Sequence, residues 1–239
     1  EGYRCAVSGQ RVIGLIGGMS WASTVEYYRL ANELVAQRLG GFHSARIIVA
    51  SVDFADVEAC QVEGRWNDAG ELLAEQARAL EAAGADFVLI GANTMHKVAP
   101  AVGAAVSIPL VHIADAIAQA AQRAGVHTVG LLGTAYTMEQ DFISGPLRAA
   151  GLTVLTPRAD DRVEVHRVIY GELVKGEVAD PSRLFHQQVI ARLVERGAQG
   201  IVLGCTELEL LVGPDDSRVP LFPTARLHVE AAVERALAR

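Results

Sequence analysis

The sequence predicts an α/β fold of two similar lobes, each with a parallel sheet flanked by helices and with the active site in the cleft between them. Short apolar runs closed by glycine alternate with longer stretches of helical periodicity, which is typical of parallel α/β architecture. The chain has 239 residues and is 51% hydrophobic, which is ample for a large core. Three blocks of sequence also recur in the same order in the two halves of the chain.

The recurring blocks define the two lobes. The matched pairs are residues 14–18 with 130–134, 84–94 with 197–207, and 108–110 with 219–221. We predict that residues 1–112 and 216–239 form the first lobe, because the last helix returns to it, and that 113–215 form the second. Coincidence among glycine-rich turns is the alternative explanation.

The predicted elements of the first lobe begin with a strand at residues 12–16, which leads into a helix that Ser20 is placed to cap. Gly40 and Gly41 end that helix, and Gly84 closes the next one. The predicted strands are 12–16, 46–52, 87–90 and 109–112, and the predicted helices are 22–39, 67–83 and a short one after Thr94. Residues 53–64 are predicted to be a polar connection.

The second lobe repeats this alternation, and the closing helix follows it. The predicted strands are 128–132, 153–155, 201–203 and 219–222, and the predicted helices are 114–124, 161–175, 181–196 and 224–238.

Cys205 directly follows the apolar strand 201–203 and Gly204. Open α/β sheets bind ligands at the carboxyl ends of their strands. Thr206 is predicted to cap a following helix, with Glu207 in its first turn. A thiol at such a helix start has a lowered pKa, so Cys205 is predicted to be a reactive acid/base group. A buried structural cysteine is the alternative.

The equivalent turns of the two lobes would face each other across one cleft. Removal of a proton from one face of a carbon and its return on the other needs acid/base groups on opposite sides, and this is racemisation or epimerisation. Backbone N–H groups and hydroxyls at such turns bind a carboxylate. The candidate carboxylate-binding residues are Asn93, Thr94, Thr134, Thr137 and Thr206. Helix capping is the alternative role for each hydroxyl.

The composition of the chain argues against several classes of protein. A net charge of −7 with a pI near 5.5 argues against a nucleic-acid or anionic-membrane surface. Three cysteines form no disulfide framework and no zinc spacing, which fits a reducing cytoplasm. No apolar stretch approaches about 20 residues, so no membrane span is expected. Residues 1–10 are predicted to be a loosely packed extension in which Cys5 is incidental.

Several motifs resemble those of the aspartate/glutamate racemase family. They are residues 203–207 (Leu-Gly-Cys-Thr-Glu), 93–97 (Asn-Thr-Met-His-Lys) and 14–21 (Gly-Leu-Ile-Gly-Gly-Met-Ser-Trp). The resemblance runs from about residue 11 to residue 238. It is closest to the bacterial branch of broad-specificity amino-acid racemases, which residues 52–54, Glu58, 60–61 and 136–142 also resemble.

The resemblance implies an isomerase of two α/β lobes that uses no pyridoxal phosphate, other cofactor or metal. It implies a homodimer acting on a small amino acid or another carboxylate. Cys205 would match the second catalytic thiol. The implied substrate contacts are Met19, Ser20, Gln61, Asn93, Thr94, Thr134, Thr137 and Thr206.

Two departures from the family pattern bear on activity. The first catalytic thiol of the family precedes the Asn-Thr pair, where this chain has Ala92. Alanine has no proton to exchange, so the two-thiol mechanism cannot run as written. Some relatives carry threonine there, and an alanine engineered to trap a ligand would leave the same sequence. The loop after the second strand also has no arginine before Arg65, which disfavours a strictly dicarboxylic substrate.

Four other residues have open roles at this point. His96 either acts as a substitute base through a water or serves in capping and packing, which we favour. His112 is interpreted as a core histidine and Lys175 as a solvated surface cation. The position of Cys60 relative to the cleft does not follow from sequence.

Three functions therefore compete. The first is a cofactor-independent amino-acid racemase that Ala92 weakens or disables. The second is a single-thiol enzyme on the same scaffold, such as a decarboxylase of disubstituted malonates. The third is a non-catalytic carboxylate-binding protein.

Overall fold

A computed structural model describes residues 9–238, which form two separate parallel sheets. The first sheet has the strand order β2-β1-β3, and the second has the order β5-β4-β6-β7. The strands are β1 (Ile13–Gly17), β2 (Ile47–Ser51), β3 (Phe87–Ile90), β4 (Thr128–Gly133), β5 (Thr153–Leu155), β6 (Gly200–Gly204) and β7 (Leu221–Pro223). All strand pairs are parallel.

Helices cover both sheets, so the predicted two-lobed α/β fold is confirmed. The helices are α1 (Trp21–Leu39), α2 (Phe54–Val62), α3 (Trp66–Ala82), α4 (Ala99–Ala104), α5 (Ile113–Arg123), α6 (Ala135–Glu139), α7 (Asp141–Ala149), α8 (Ala159–Gly171), α9 (Asp180–Glu195), α10 (Leu208–Leu211) and α11 (Thr224–Leu237). A 3-10 helix, Thr94–Val98, precedes α4.

The sequence repeat corresponds to equivalent positions in the two sheets. The first matched blocks contain β1 and β4, and the second contain β3 and β6, which pair with β1 and β4 respectively. The third pair also matches, because Leu110 bridges to Val88 of β3 while Leu221 pairs with Ile201 of β6. The strand ends that follow β3 and β6 are therefore equivalent places.

The segment predicted as a polar connection contains α2, so that prediction is wrong. The Asp53 carboxylate accepts a hydrogen bond from the backbone N–H of Ala55 at 3.0 Å and caps the helix. Val57 and Cys60, which are three residues apart, are buried in the core of the first lobe. Only three of its nine residues, Val57, Cys60 and Gln61, are buried, so the helical pattern is too weak to predict from sequence.

Two further elements differ from the prediction. The segment 109–112 is not a strand, because only Leu110 forms a bridge to the sheet. Helix α7 was not predicted, since Pro146 and Gly145 lie inside it. Ile143 and Leu147 of α7, four residues apart, are fully buried against the second lobe.

The C-terminal segment is not divided between the two lobes at residue 216, where the boundary was predicted. Strand β7 pairs with β6 and so belongs to the second sheet, because Leu221 aligns with Ile201. Helix α11 packs against both lobes: its Val229 and Val233 share a buried cluster with Leu15 of β1, and its Leu227 packs against the cluster that contains Ile117 of α5. The crossing between lobes therefore lies at the end of β7.

Within residues 9–238, none of the helices combines the length and the apolar character that crossing a membrane requires. Most of the predicted N-terminal extension, with Cys5, lies outside the described residues.

Candidate active site

The candidate site is a cleft at the carboxyl ends of β1, β3, β4 and β6, where the two lobes meet. Nine of the residues predicted from the sequence line it together: Met19, Ser20, Gln61, Ala92, Asn93, Thr94, Thr134, Cys205 and Thr206. Side chains from both halves of the repeat thus face one space.

Gly18 turns the chain from β1 into the cleft. Its φ of +91° favours glycine, and an added Cβ would lie 2.1 Å from the carbonyl oxygen of Val52. The turn positions Met19 and Ser20 at the cleft. Ser20 caps α1 as predicted, since its hydroxyl accepts from the backbone N–H of Ser23 at 3.4 Å.

Three threonine hydroxyls form a buried row at the base of the cleft. Thr94 Oγ1 and Thr134 Oγ1, from opposite lobes, are 3.1 Å apart, and Thr134 Oγ1 lies 3.3 Å from Thr137 Oγ1. Thr137 does not line the cleft as predicted, because it lies in the first turn of α6 and is fully buried behind Thr134. It supports Thr134 from behind.

The side-chain amide of Asn93 has an orientation fixed by its neighbours. Thr224 donates its hydroxyl proton to the carbonyl oxygen of Leu203 at 2.8 Å, so its oxygen can only accept from Asn93 Nδ2 at 2.9 Å. Asn93 Oδ1 is then left as a buried acceptor without a partner among the described residues. Asn93 is 6% exposed and lines the cleft. A hydrogen-bond donor on a ligand would satisfy this oxygen.

Cys205 lies at the end of β6, as predicted, but the following residues do not form the predicted helix start. Helix α10 has only four residues, and neither Thr206 nor Glu207 caps it through its side chain. The Cys205 thiol instead donates to Glu207 Oε2 at 2.9 Å. A helix of a single turn contributes little dipole at the thiol.

The predicted lowering of the Cys205 pKa is wrong in this state of the protein. Removal from water raises the pKa of the thiol well above its usual value, and the neighbouring Glu207 carboxylate raises it further. Among the described residues that line the cleft there is no Arg or Lys to oppose this effect. At neutral pH the thiol is therefore protonated.

Ala92 occupies the equivalent position at the end of β3 and lines the same cleft. His96 lies directly behind it with both ring nitrogens engaged. Nδ1 donates to the carbonyl oxygen of Ala92 at 2.8 Å, and Nε2 accepts from the backbone N–H of Ile113 at 3.1 Å. Burial lowers the His96 pKa well below its usual value. The packing role that we favoured is confirmed, and the substitute-base role is not supported.

On the far side of the cleft, the described lining residues are uncharged. Gln61 lines it, donates from Nε2 to the sulfur of Met95 at 3.1 Å, and accepts from the Tyr170 hydroxyl at 3.2 Å. Burial raises the Tyr170 pKa, so the phenol is neutral. Phe54 and Val174 complete this side. An uncharged side chain of a ligand fits these surroundings best.

The other residues weighed from the sequence lie away from the cleft. Lys175 is exposed and does not line it. Cys60 is buried in the core of the first lobe, 3.4 Å from Nη1 of Arg65. His112 is half-buried and caps α5, since its Nδ1 accepts from the backbone N–H of Ala114 at 3.2 Å.

Glu207 was not identified from the sequence as a site residue, and neither were Tyr170 and Val174 on the far side of the cleft. Glu207 stood directly after Cys205-Thr206, so the motif itself carried the signal. Tyr170 and Val174 gave no such signal, since they read as the ordinary apolar face of a helix. The position of Tyr170 depends on how α8 meets α2, where its hydroxyl donates to Gln61.

A second contact between the lobes lies beside the cleft. The rings of Trp66 in α3 and Tyr136 in α6 pack edge to face with centroids 5.4 Å apart. The Lys97 ammonium lies 3.7 Å from the Trp66 ring centroid on another side. The indole is therefore held between an aromatic ring of the second lobe and a cation of the first.

The model of the Asp/Glu/hydantoin racemase family matches residues 16–232 of this chain. The chain belongs to that family. As a member of the Asp/Glu/hydantoin racemases, it is similar over its length to several solved structures. One is a Yersinia pestis protein assigned to the Asp/Glu racemases, with 48% identity, a TM-score of 0.91, and coverage of 95% of this chain and 100% of that one.

Two other structures extend the comparison. An aspartate racemase homologue from Pyrococcus horikoshii OT3 is 32% identical with a TM-score of 0.84, covering 95% of this chain and 100% of that one. The aspartate racemase of Picrophilus torridus is 19% identical with a TM-score of 0.76, covering 96% and 95%, and it shows the shared fold alone. The two-lobed architecture of this racemase family member is thus shared over nearly its whole length.

Proposed function

We propose that this protein acts on α-amino acids as a cofactor-independent acid/base enzyme of the racemase type, with Cys205 as the acid/base thiol of the cleft. The observation that carries the proposal is that Cys205 and Ala92, at equivalent strand ends of the two lobes, line one cleft. Cys205 removes and returns the α-proton on one face. Ala92 leaves the other face without a proton donor, so net inversion is weak or absent.

The carboxylate of the substrate would bind at the base of the cleft. The hydroxyls of Thr94 and Thr134 lie side by side there, and each has one proton that it can donate to a carboxylate that replaces their mutual hydrogen bond. As the α-proton leaves, negative charge spreads into this carboxylate, and hydrogen bonds to it strengthen. The hydroxyl pair therefore supports carbanion formation without a metal or pyridoxal phosphate.

The acceptor atoms of the cleft favour a substrate with an ammonium group. Asn93 Oδ1 is buried without a partner among the described residues, and Glu207 is the one carboxylate among those lining the cleft. An ammonium donates up to three hydrogen bonds and carries the complementary charge. These contacts distinguish an amino acid from a hydroxy acid of the same shape.

The same charges argue against the malonate decarboxylase alternative. A malonate carries two carboxylates and would face Glu207 in a cleft whose described lining has no Arg or Lys. Like charges at close range in a partly desolvated site are unfavourable. The wall of Phe54, Gln61 and Tyr170 likewise favours amino acids with uncharged side chains over aspartate or glutamate.

The test is α-proton exchange in D2O, followed by NMR for both enantiomers of a panel of neutral, acidic and basic amino acids. We expect one enantiomer of a neutral amino acid to exchange while its mirror image exchanges much less. The activity should survive exhaustive dialysis against a chelator. Exchange that needs an added metal or pyridoxal phosphate, or rapid racemisation with Ala92 in place, contradicts the proposal.

A further inference from the structure

Glu207 occupies an unusual position between the thiol and the opposite lobe. Its Oε2 accepts from the Cys205 thiol at 2.9 Å. Its Oε1 accepts from the hydroxyls of Ser20 and Ser23, each at 3.1 Å. One carboxylate of the second lobe is thus held by two donors from the start of α1 in the first lobe.

This arrangement fixes one carboxylate oxygen and leaves the other for the thiol. Two hydroxyl donors on Oε1 restrict rotation of the Glu207 side chain. Ser23 is 4% exposed, so its bond to the carboxylate is shielded from water. Ser20 is also tied to its place by capping α1. The two bonds from the first lobe therefore help to keep Oε2 directed toward sulfur.

The thiol needs such a partner, because a hydrogen bond from the backbone N–H of Glu207, which favours the ionised form, is outweighed by the effects that oppose it. Burial and the carboxylate both raise the Cys205 pKa. A free thiolate would therefore be scarce at neutral pH. A base in contact with sulfur removes this difficulty, since the thiol proton can leave while the sulfur receives another.

We propose that Glu207 is the proton acceptor of Cys205, so that the two residues act as a relay. The α-C–H bond of the substrate breaks as a new S–H bond forms, and the electron pair stays on the α-carbon. The original thiol proton moves to Glu207 Oε2, which becomes a neutral carboxyl group. The reverse step restores every bond. Exchange of the carboxyl proton with solvent brings deuterium to the substrate in D2O.

The other titratable groups around Glu207 are acidic or neutral. They are Glu26 of α1, Glu209 of α10 and Tyr170 of α8. Burial raises the pKa of Glu209 to about 7, and burial raises that of Tyr170 as well. Glu209 adds to the rise in the Cys205 pKa, but the carboxylate in contact with sulfur is that of Glu207. Glu209 is thus a matched control for a nearby buried carboxylate without the bond.

The relay rests on the proposed function and is tested on the full chain by the pH dependence of α-proton exchange. Glu207→Gln keeps the size and an acceptor oxygen but not the base. We expect exchange at neutral pH to fall by roughly 10²–10⁴-fold and to recover only where the thiol itself ionises. Glu209→Gln removes a nearby carboxylate but not the bond to sulfur, so it should keep exchange at neutral pH and change only the pH at which the thiol ionises.

Alkylation of Cys205 by iodoacetamide supplies a readout that does not depend on turnover. Glu207→Gln removes a negative charge beside sulfur, so the midpoint of alkylation should move to lower pH. If Glu207 is the base, this one substitution has two opposite effects. The Cys205 thiol ionises more easily, and α-proton exchange becomes slower. A purely electrostatic role would move both in the same direction and would overturn the relay. A role only in structure or in substrate binding would slow exchange without the recovery at the pH where the thiol itself ionises, and would overturn it as well.

The outcomes separate the relay from the proposed function. Wild-type exchange that is unchanged in Glu207→Gln contradicts the relay alone. Absence of exchange for every amino acid in the wild type contradicts the proposed function. In that case the alkylation midpoint decides: a lower value in Glu207→Gln supports the Cys205–Glu207 coupling, and an unchanged value contradicts it.

Discussion

Thr94 and Thr134 belong to different lobes, and their hydroxyl oxygens are 3.1 Å apart at the base of the cleft. They follow β3 and β4, one strand from each sheet. The contact brings the carboxyl ends of two unconnected sheets to one point. A group bound there touches both lobes, so the relative position of the lobes sets the geometry around its α-carbon. The following predictions use this dependence.

Ala92→Cys should restore inversion. The variant would supply a proton donor on the face opposite Cys205, with an expected gain in racemisation of roughly 10²–10⁴-fold. Ala92→Thr should gain less, because a hydroxyl is a much weaker acid than a thiol and gives up its proton far less readily. Chiral chromatography of a reacting amino acid measures this. An Ala92→Cys variant that folds and binds substrate but gains nothing would mean that the two turns do not face one carbon.

Thr224→Val should change how the cleft treats the amino group. The substitution keeps the shape but removes the oxygen that accepts from Asn93 Nδ2. An unpaired buried amide costs about 1–3 kcal/mol, and rotation of the Asn93 side chain would relieve it by turning Nδ2 into the cleft. We expect weaker binding of amino acids by equilibrium dialysis. Thr224→Ser, which keeps the hydroxyl, is the matched control and should bind as the wild type does.

Gln61→Lys should shift preference toward acidic amino acids. Gln61 is 5% exposed and lines the uncharged side of the cleft, so a cation there would face the distal carboxylate of aspartate. The ratio of aspartate to neutral amino acid exchange should rise on the order of tenfold, equivalent to about 1.4 kcal/mol. Gln61→Met controls for loss of the bond to Tyr170. An equal ratio in both variants would argue that aspartate does not extend toward position 61.

The free energy of unfolding should fall as the pH drops from about 6.5 toward about 4. The upper limit is the usual pKa of a histidine, and the lower limit is the pKa to which burial lowers His228. The neutral ring is fixed, since Nε2 donates to Val111 O at 2.8 Å and Nδ1 accepts from the Tyr27 hydroxyl at 3.0 Å. In this window the unfolded chain binds the extra proton more readily, so the free energy of unfolding rises with pH.

The contribution of His228 to this slope is on the order of 3 kcal/mol across the window. Urea unfolding at a series of pH values measures it, and His228→Gln should flatten the slope by about that amount. His96, whose pKa burial also lowers, keeps part of the slope in both proteins. A slope that is identical in wild type and His228→Gln would refute the assignment.

The sequence predicted those parts of the fold that local patterns determine. Strands such as 87–90, whose residues are all buried, and the glycine-closed turns after them were predicted to within a residue or two. Helix α2 was missed because its burial is limited to a few positions, and β7 was given to the wrong lobe. Strand pairing is a long-range choice that no local pattern of residues 219–222 contains.

The site residues likewise divide into those that local sequence patterns predict and those that depend on long-range packing. Position 92 and Cys205 were found because the repeat marks equivalent strand ends. The shift of the Cys205 pKa was predicted in the wrong direction. It depends on the length of α10 and on the position of the Glu207 carboxylate, which accepts from the thiol. The support of Glu207 by Ser20 and Ser23 crosses between lobes that lie far apart in sequence, so spacing could not reveal it.

The packing of Trp66 against Tyr136 gives the molecule an intrinsic optical probe. The chain contains two tryptophans, and the other, Trp21, is 72% exposed. Emission from Trp21 reports on water, whereas Trp66 lies between Tyr136 of the second lobe and the Lys97 ammonium. Separation of the lobes would alter the surroundings of Trp66 and leave those of Trp21 as they were. With Trp21 replaced by phenylalanine, a single fluorophore would follow the opening and closing of the cleft in real time, without any added dye.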